Sequence, residues 1–341
     1  MRSVRVTLLS TIGATALLLG ATGVASPAGS GEAAGPSPEA EPVTPDESKP
    51  EKADLTVRLK GRDGNVKVGK SATALGTIEP YAPGERVLVK LKRSGKTIAN
   101  RRAAVTRVKG SDVGKFTFAK QVIAPGSYRF TATHAESDQL GSATGKTRRF
   151  GISYPALNQR SRGEEVAVLN KLLAKLSYVT TQGQGYGGPT RRAVLAYRKV
   201  NKMARTTNTT PRIFRDLAAG KGAFKLKNPG NGKQIEVDIS RQVMVLAVDG
   251  EVQRTYHIST GAAATPTVRG KWSFYRRHPA FNAIGMFWSS FWVGGYAIHG
   301  YKSVPTHPAS HGCVRTHLTE AKSIFDWIDD GLAGTTIFTY G

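Results

Sequence analysis

Between His299 and His317 the chain gathers the residue types that perform nucleophilic and metal chemistry. They fall in two groups, Ile298-His299-Gly300 and Ser310-His311-Gly312-Cys313-Val314-Arg315. Cys313 is the only cysteine in 341 residues, so the chain holds no disulfide framework and no Cys-rich zinc module. Gly312 permits a tight or positive-φ turn just before the thiol. Such a turn can present the sulfur and aim the Gly312 and Cys313 N–H groups at one point, where a single good donor to an oxyanion is worth roughly 3–4 kcal/mol. Arg315, two residues on, could lower the thiol pKa or hold a substrate carboxylate. A histidine at a strand end, as expected for His299, can pair with the thiol, and a backbone carbonyl suffices to orient its second nitrogen. Two other readings use the same residues. A free cysteine is often simply buried. His299, His307, His311, Cys313 and His317 could also supply a zinc site, although no Asp or Glu lies among them to support a ligating histidine.

The elements that position these residues are mainly strands. Ile235-Val237-Ile239 alternates with polar residues, Val243-Val245-Ala247 runs into Asp249-Gly250, and Val252, Tyr256 and Ile258 resume beyond it. Asp-Gly between alternating runs predicts a hairpin. Trp272–Tyr275, Ala297–His299 and Thr336–Tyr340 read as further strands. Thr319 is placed to cap a helix carrying Ala321, Ile324, Phe325 and Ile328, with Gly331 ending it. Phe281 to Tyr296, dense in aromatics and glycines, reads equally as a flap over the site or as core.

Upstream, the pattern divides the chain into further segments. Residues 1–25 have a charged start (Arg2, Arg5), a short apolar run and small residues before Ala25, the pattern of a signal peptide. Residues 26–52 hold six prolines and a local excess of acids, and read as a disordered tether. Residues 53–152 show short alternating strands broken by Pro-Gly and Ser-Gly turns and read as an all-β sandwich. They resemble immunoglobulin-like modules in these general features, with His134 a surface or packing residue. Residues 155–220 turn helical. Val166, Leu169, Leu172 and Leu176 recur at helical spacing, Pro189 opens a second helix, and a third runs from Pro211 through Leu217. This stretch resembles the three-helix peptidoglycan-binding domain through Ser161-Arg162-Gly163 and Tyr186-Gly187-Gly188-Pro189-Thr190. Gln184 departs from that pattern, and Thr206–Thr210 lacks its glycine.

The 49 Lys and Arg against 24 Asp and Glu give a net charge of +25. That charge favours an anionic cell wall or membrane surface over nucleic acid in an exported protein, or serves only as a solvated surface. No nucleic-acid partner is expected, and membrane contact only through the leader if it stays uncleaved.

The residues of the first paragraph, taken together, resemble the signature of the L,D-transpeptidase catalytic domain, over about residues 233–341. The resemblance implies a multidomain protein whose mainly β catalytic domain follows the helical and sandwich segments. It implies that Cys313 is the nucleophile, that His299 moves the proton, and that the Gly300 carbonyl orients it. His311, Gly312 and Cys313 would frame the oxyanion by their amides, with Ser310 and Arg315 at the substrate side. The partners would be peptidoglycan stem peptides, with no metal and no cofactor. A tetrapeptide donor would lose its terminal D-Ala to form an acyl-thioester, and the side-chain amine of a second stem would take the acyl group. Some members carry Asn at the position of Arg315, which leaves a substrate contact and a structural ion pair both open there. The protein would be secreted and associated with the cell wall. An L,D-carboxypeptidase, with water as acceptor, and a non-catalytic, zinc-stabilised wall-binding protein remain the alternatives.

Overall fold

The computed structural model describes residues 49–61, 64–328 and 334–341. The leader, most of the tether and the Gly331 helix stop lie outside the described residues. Ten described strands precede the first helix: β1 (Asp54–Leu59), β2 (Asn65–Lys67), β3 (Ser71–Glu79), β4 (Arg86–Arg93), β5 (Lys96–Ala104), β6 (Thr106–Arg107), β7 (Gly114–Gln121), β8 (Tyr128–His134), β9 (Ala143–Lys146) and β10 (Gly151–Ser153). Two four-stranded sheets, ordered β1-β3-β7-β6 and β5-β4-β8-β9, face a shared core of Ile78, Val87, Val89, Leu91, Phe116 and Phe130. Alternation makes this possible: in β3, Ala72, Ala74, Gly76 and Ile78 point inward while their neighbours face out. Gly76 has no substitute, because a Cβ there would sit 2.0 Å from the Phe116 ring. His134, expected at the surface or in simple packing, is buried with Nε2 2.7 Å from Glu85 Oε2 and Nδ1 3.0 Å from Gly141 O. Sequence spacing carries no sign of that partner, which lies 49 residues away.

Three helices follow: α1 (Glu164–Lys175), α2 (Gly188–Val200) and α3 (Pro211–Ala218). Gly163 and the Pro189 and Pro211 first turns mark their starts, and Thr210 Oγ1 accepts from Ile213 N to cap the third. In α1 the buried stripe is Val166, Leu169 and Leu173, with Leu172 and Leu176 at its margin. The helical period was legible; the face was set by what packs on it.

The last third contains β11 (Lys233–Asp238), β12 (Val243–Val248), β13 (Glu251–His257), β14 (Gly270–Ser273), β15 (Arg276–Phe281), β16 (Phe287–Val293), β17 (Tyr296–Tyr301), β18 (Val314–His317), α4 (Leu318–Ile328) and β19 (Thr335–Tyr340). They form a five-stranded sheet, β13-β12-β11-β19-β14, and a four-stranded sheet, β15-β16-β17-β18. Asp249 and Gly250 turn the β12–β13 hairpin with φ of +50° and +78°, as a two-residue turn of the type suited to right-twisted strands requires. The segment from Phe281 to Tyr296 is chiefly strand: Phe291 and Trp292 are buried within the sheet, while Phe281 and Ile284 stand exposed at the hairpin end. Helix α4 begins one residue before the expected cap. The side chain at its start is His317, whose Nδ1 accepts from Thr319 N at 3.2 Å.

β12 is apolar throughout, Val-Met-Val-Leu-Ala-Val, because it is covered on both faces. Met244 and Leu246 enter the core between the two sheets, while Val243 and Val245 join the core of the three helices. Each fully buried side chain of this size contributes about 1.5–3 kcal/mol. Helix α2 thereby lies directly on the five-stranded sheet. Among the described residues no helix is long and apolar enough to cross a membrane.

Candidate active site

The site is built on the parallel pairing of β17 and β18, in which Ile298 faces Val314 and His299 faces Arg315. Paired residues share a face of a sheet. Ala297, His299 and Tyr301 are therefore on the same face as Cys313, Arg315 and His317, while Ile298, Gly300, Val314 and Thr316 face α4. Gly300 is demanded by that second layer, since a Cβ there would lie 2.7 Å from Ala321 Cβ. The glycine beside the histidine is thus needed for helix packing, independently of its carbonyl.

His299 is buried, with Nδ1 2.9 Å from Gly300 O. A carbonyl can only accept, so Nδ1 carries the proton and Nε2 keeps its lone pair. Burial lowers the imidazole to about 4, the Gly300 carbonyl opposing this and the Arg315 charge adding to it. At neutral pH the ring is an uncharged acceptor.

Cys313 packs against Met286, Phe291 and Ala297. Its Sγ lies 3.6 Å from Gly295 O. Burial pushes the thiol above its ordinary value, while the Ala297 N–H at the sulfur and the Arg315 charge pull it down. The Arg315 effect anticipated from spacing is present but is outweighed by desolvation. Thiol and imidazole are thus both held neutral at rest.

Gly312 takes φ +113°, and a Cβ there would meet the Tyr296 ring at 2.5 Å. Its N–H does not point into open space: it donates to Ser310 Oγ at 3.1 Å. Of the three amides named for the oxyanion, this one is already engaged. Ser310 is a buried brace: its Oγ donates to Cys313 O at 2.6 Å and its N–H donates to Thr260 O at 3.0 Å. His311 is exposed at the rim. Among the described residues Arg315 has no carboxylate partner; it donates to Ala309 O at 3.1 Å and stacks over Tyr301 at 4.2 Å, which corrects the ion-pair option. The five zinc candidates are not gathered. His317 is turned to Thr319 and His299 to Gly300, and among the described residues no three His, Cys, Asp or Glu side chains are close enough to share a metal ion.

Sequence reading missed the strand-end loop that holds the Cys313 turn. Ser259 exchanges backbone hydrogen bonds with Arg315, and Gly261 bridges to Ser310. Thr267 Oγ1 accepts from Gly261 N at 2.9 Å and donates to Gly312 O at 2.6 Å. A Cβ on Gly261 would lie 2.1 Å from Thr265 O. Nothing in a Thr-Gly after a strand distinguishes this loop from an ordinary turn; only its meeting with Gly312 does.

Residues 232–337 match the model of the YkuD family, the L,D-transpeptidase catalytic domain. An L,D-transpeptidase structure from Xylanimonas cellulosilytica is 29% identical, with a TM-score of 0.50, over 55% of this chain and 98% of that one. An L,D-transpeptidase from Mycobacterium smegmatis aligns over 84% of this chain and 99% of that one at 13% identity, TM-score 0.29. The catalytic domain of an L,D-transpeptidase from E. faecium aligns over 33% of this chain and all of that one at 22% identity, TM-score 0.29. No curated protein matches the chain. The C-terminal segment is an L,D-transpeptidase catalytic domain of the YkuD family.

Proposed function

We propose that the protein is an exported L,D-transpeptidase that joins peptidoglycan stem peptides through a Cys313 acyl-enzyme. The observation that carries the reading is the Gly300 O contact at 2.9 Å, which leaves His299 Nε2 as an acceptor on the sheet face that holds Cys313. As the donor carbonyl approaches, Nε2 takes the thiol proton and sulfur attacks the carbonyl between the third residue and the terminal D-Ala. The oxyanion is received by the His311 and Cys313 amides. His299 returns the proton to the leaving D-Ala amine, and a thioester remains. The side-chain amine of a second stem then attacks, giving its proton to Nε2, and thiol leaves to restore the enzyme. Burial keeps both groups neutral at rest, so the proton is still on sulfur when the donor binds. Arg315, and Arg276 stacked over Phe291 at 4.1 Å, border the site and suit the stem carboxylates. The leader pattern at residues 1–25 fits such a substrate, which lies outside the cytoplasm.

The test incubates residues 26–341 with a purified disaccharide-tetrapeptide and reads products by mass spectrometry. Wild type is expected to release D-Ala and form a cross-linked dimer. Cys313→Ala is expected to release none, and His299→Ala to be slower by about 10²–10⁴-fold. A tripeptide without dimer would move the reading to a carboxypeptidase, and D-Ala release by Cys313→Ala would end it.

A further inference from the structure

Cations are concentrated in the N-terminal β region, with twenty Lys and Arg against seven Asp and Glu between residues 53 and 152. On the outer face of the β5-β4-β8-β9 sheet, Lys92 of β4 sits directly opposite Arg129 of β8. Two residues along the same face Lys90 opposes Thr131, and Lys146 of β9 lies on the other side of Thr131. Like charges directly across a ladder destabilise a sheet. Among the described residues, none of Lys90, Lys92, Arg129, Lys146 or Arg149 has a carboxylate within ion-pair distance. Arg129 adds a second cost at the same place, because its Nε is shielded from solvent and has no hydrogen-bond partner. A buried donor left unpaired is an exception that requires a cause.

The two residues that carry these costs, Lys92 and Arg129, line one open cleft of about 570 Å³, together with Arg149 and the hydroxyl-bearing Ser94, Ser127 and Thr131 and with no acidic residue. A guanidinium fork, an ammonium and hydroxyls are the donor set that tetrahedral phosphate oxygens accept from. The cleft is far larger than one phosphate, with room for the alcohols on either side of a diester. A second cleft, of about 700 Å³ and bordered by Arg58, Arg101 and Lys115, lacks these signs. There Lys115 opposes Thr77, Arg58 opposes Leu75, and the Thr56 and Thr77 hydroxyls bond each other at 2.8 Å.

We propose that the Lys92–Arg129–Arg149 cleft binds a polyol polymer linked by phosphodiesters, of the glycerol phosphate kind, and so anchors the protein to it. The site is independent of Cys313, and its failure would leave the proposed catalysis untouched. The test measures binding of synthetic polyglycerol phosphate to the protein, residues 26–341, and to single-charge variants. Lys92→Gln and Arg129→Gln are each expected to weaken binding roughly tenfold or more, while Arg58→Gln, which removes the same charge elsewhere, has little effect. Equal losses in all three would reduce the binding to diffuse charge and overturn the proposal. Equal or tighter binding to phosphatidylglycerol vesicles, polyglutamate or single-stranded DNA would overturn the choice of ligand. Two further readouts separate binding from folding. The Arg129 Nε–H resonance should move downfield when the polymer is added. Without ligand, Lys92→Gln should melt about 1–2 °C higher than wild type, because the like-charge pair is gone. An unmoved resonance together with a lower melting temperature would assign the cluster to structure alone.

Discussion

The helical segment meets the N-terminal β region on one side and the five-stranded sheet of the C-terminal domain on the other, and the two junctions are made differently. Toward the β region, Val68 is buried among the helices, but the polar link is at the surface, where Glu164 of α1 is paired with Lys70 and receives Gln121 Nε2 at 3.0 Å. Toward the five-stranded sheet, the central polar links are buried, although Arg205 adds exposed ones to Ser240 O and Thr306 O. Lys199 of α2, 2% exposed, donates to Gln242 O at 3.0 Å and Ile258 O at 3.1 Å, and lies 2.7 Å from His257 Nδ1. His257 Nε2 gives its proton to Val304 O at 3.0 Å, so Nδ1 accepts, and Lys199 Nζ faces an acceptor in each of its three directions. Burial draws Lys199 down to about 6, and the Arg205 charge adds to that pull. Arg192 of α2 pairs with Glu320 of α4, both largely shielded. An exposed pair adds little to stability because water competes for both partners. A buried one commits the two surfaces, because neither partner can be left behind without a desolvation cost. The helices are thus bound to the catalytic domain more firmly than to the β region, and Ile258 and Val304 carry that connection to the segments flanking Ser259 and Ser310.

The comparison can be broken most directly at Lys199. Lys199→Met strands two carbonyls and His257 Nδ1, and chemical denaturation should show a loss of about 3 kcal/mol or more. A near-neutral result would mean that the catalytic junction is held by apolar contact alone. Arg192→Ala leaves the Glu320 carboxylate buried without its charge partner, at about 2–4 kcal/mol near neutral pH. Burial already raises the Glu320 pKa, so the folded state then binds a proton more readily than the unfolded state. The penalty should therefore shrink as pH falls through that raised value, read from denaturation midpoints. A separate readout comes from titration itself. Lys199 is lowered from 10.5 to about 6, so the unfolded chain binds the extra proton between those values. Its contribution to stability should decline as pH falls from 10.5 to 6, and Lys199→Met should remove that slope. The smallest effect belongs to the other junction: Glu164→Gln should leave the melting curve of wild type unchanged, at low and high salt alike. A clear drop would erase the contrast between the two junctions.

How much of this was legible depended on distance along the chain. The Asp249-Gly250 hairpin, the helical period of α1 and the Pro189 start are local, and residues within a few positions determine them. The His299–Gly300 contact is equally local, since the acceptor belongs to the next residue. Ser310 and Gly312 were harder. Their composition marked a turn at the site, but nothing in it showed that the Ser310 hydroxyl would lie 2.6 Å from Cys313 O. Thr267, 46 positions from Cys313, gave no signal, nor did the 49-residue reach from His134 to Glu85.

The sequence by itself determined the chemistry available to this protein: one thiol, a histidine with its own carbonyl orienter, and glycines where the backbone must bend or pack. Those follow from residue type and short spacing, because local sterics and side-chain inventories need no partner from elsewhere. Tertiary structure alone decided which groups are charged and which amides are free. The neutral thiol results from burial beside Met286 and Phe291, the neutral imidazole from its own burial, the engaged Gly312 amide from the Ser310 brace, and the two-sided burial of β12 from helices folded back on it. Each is a matter of desolvation or long-range contact, and none is written in any short window of the chain.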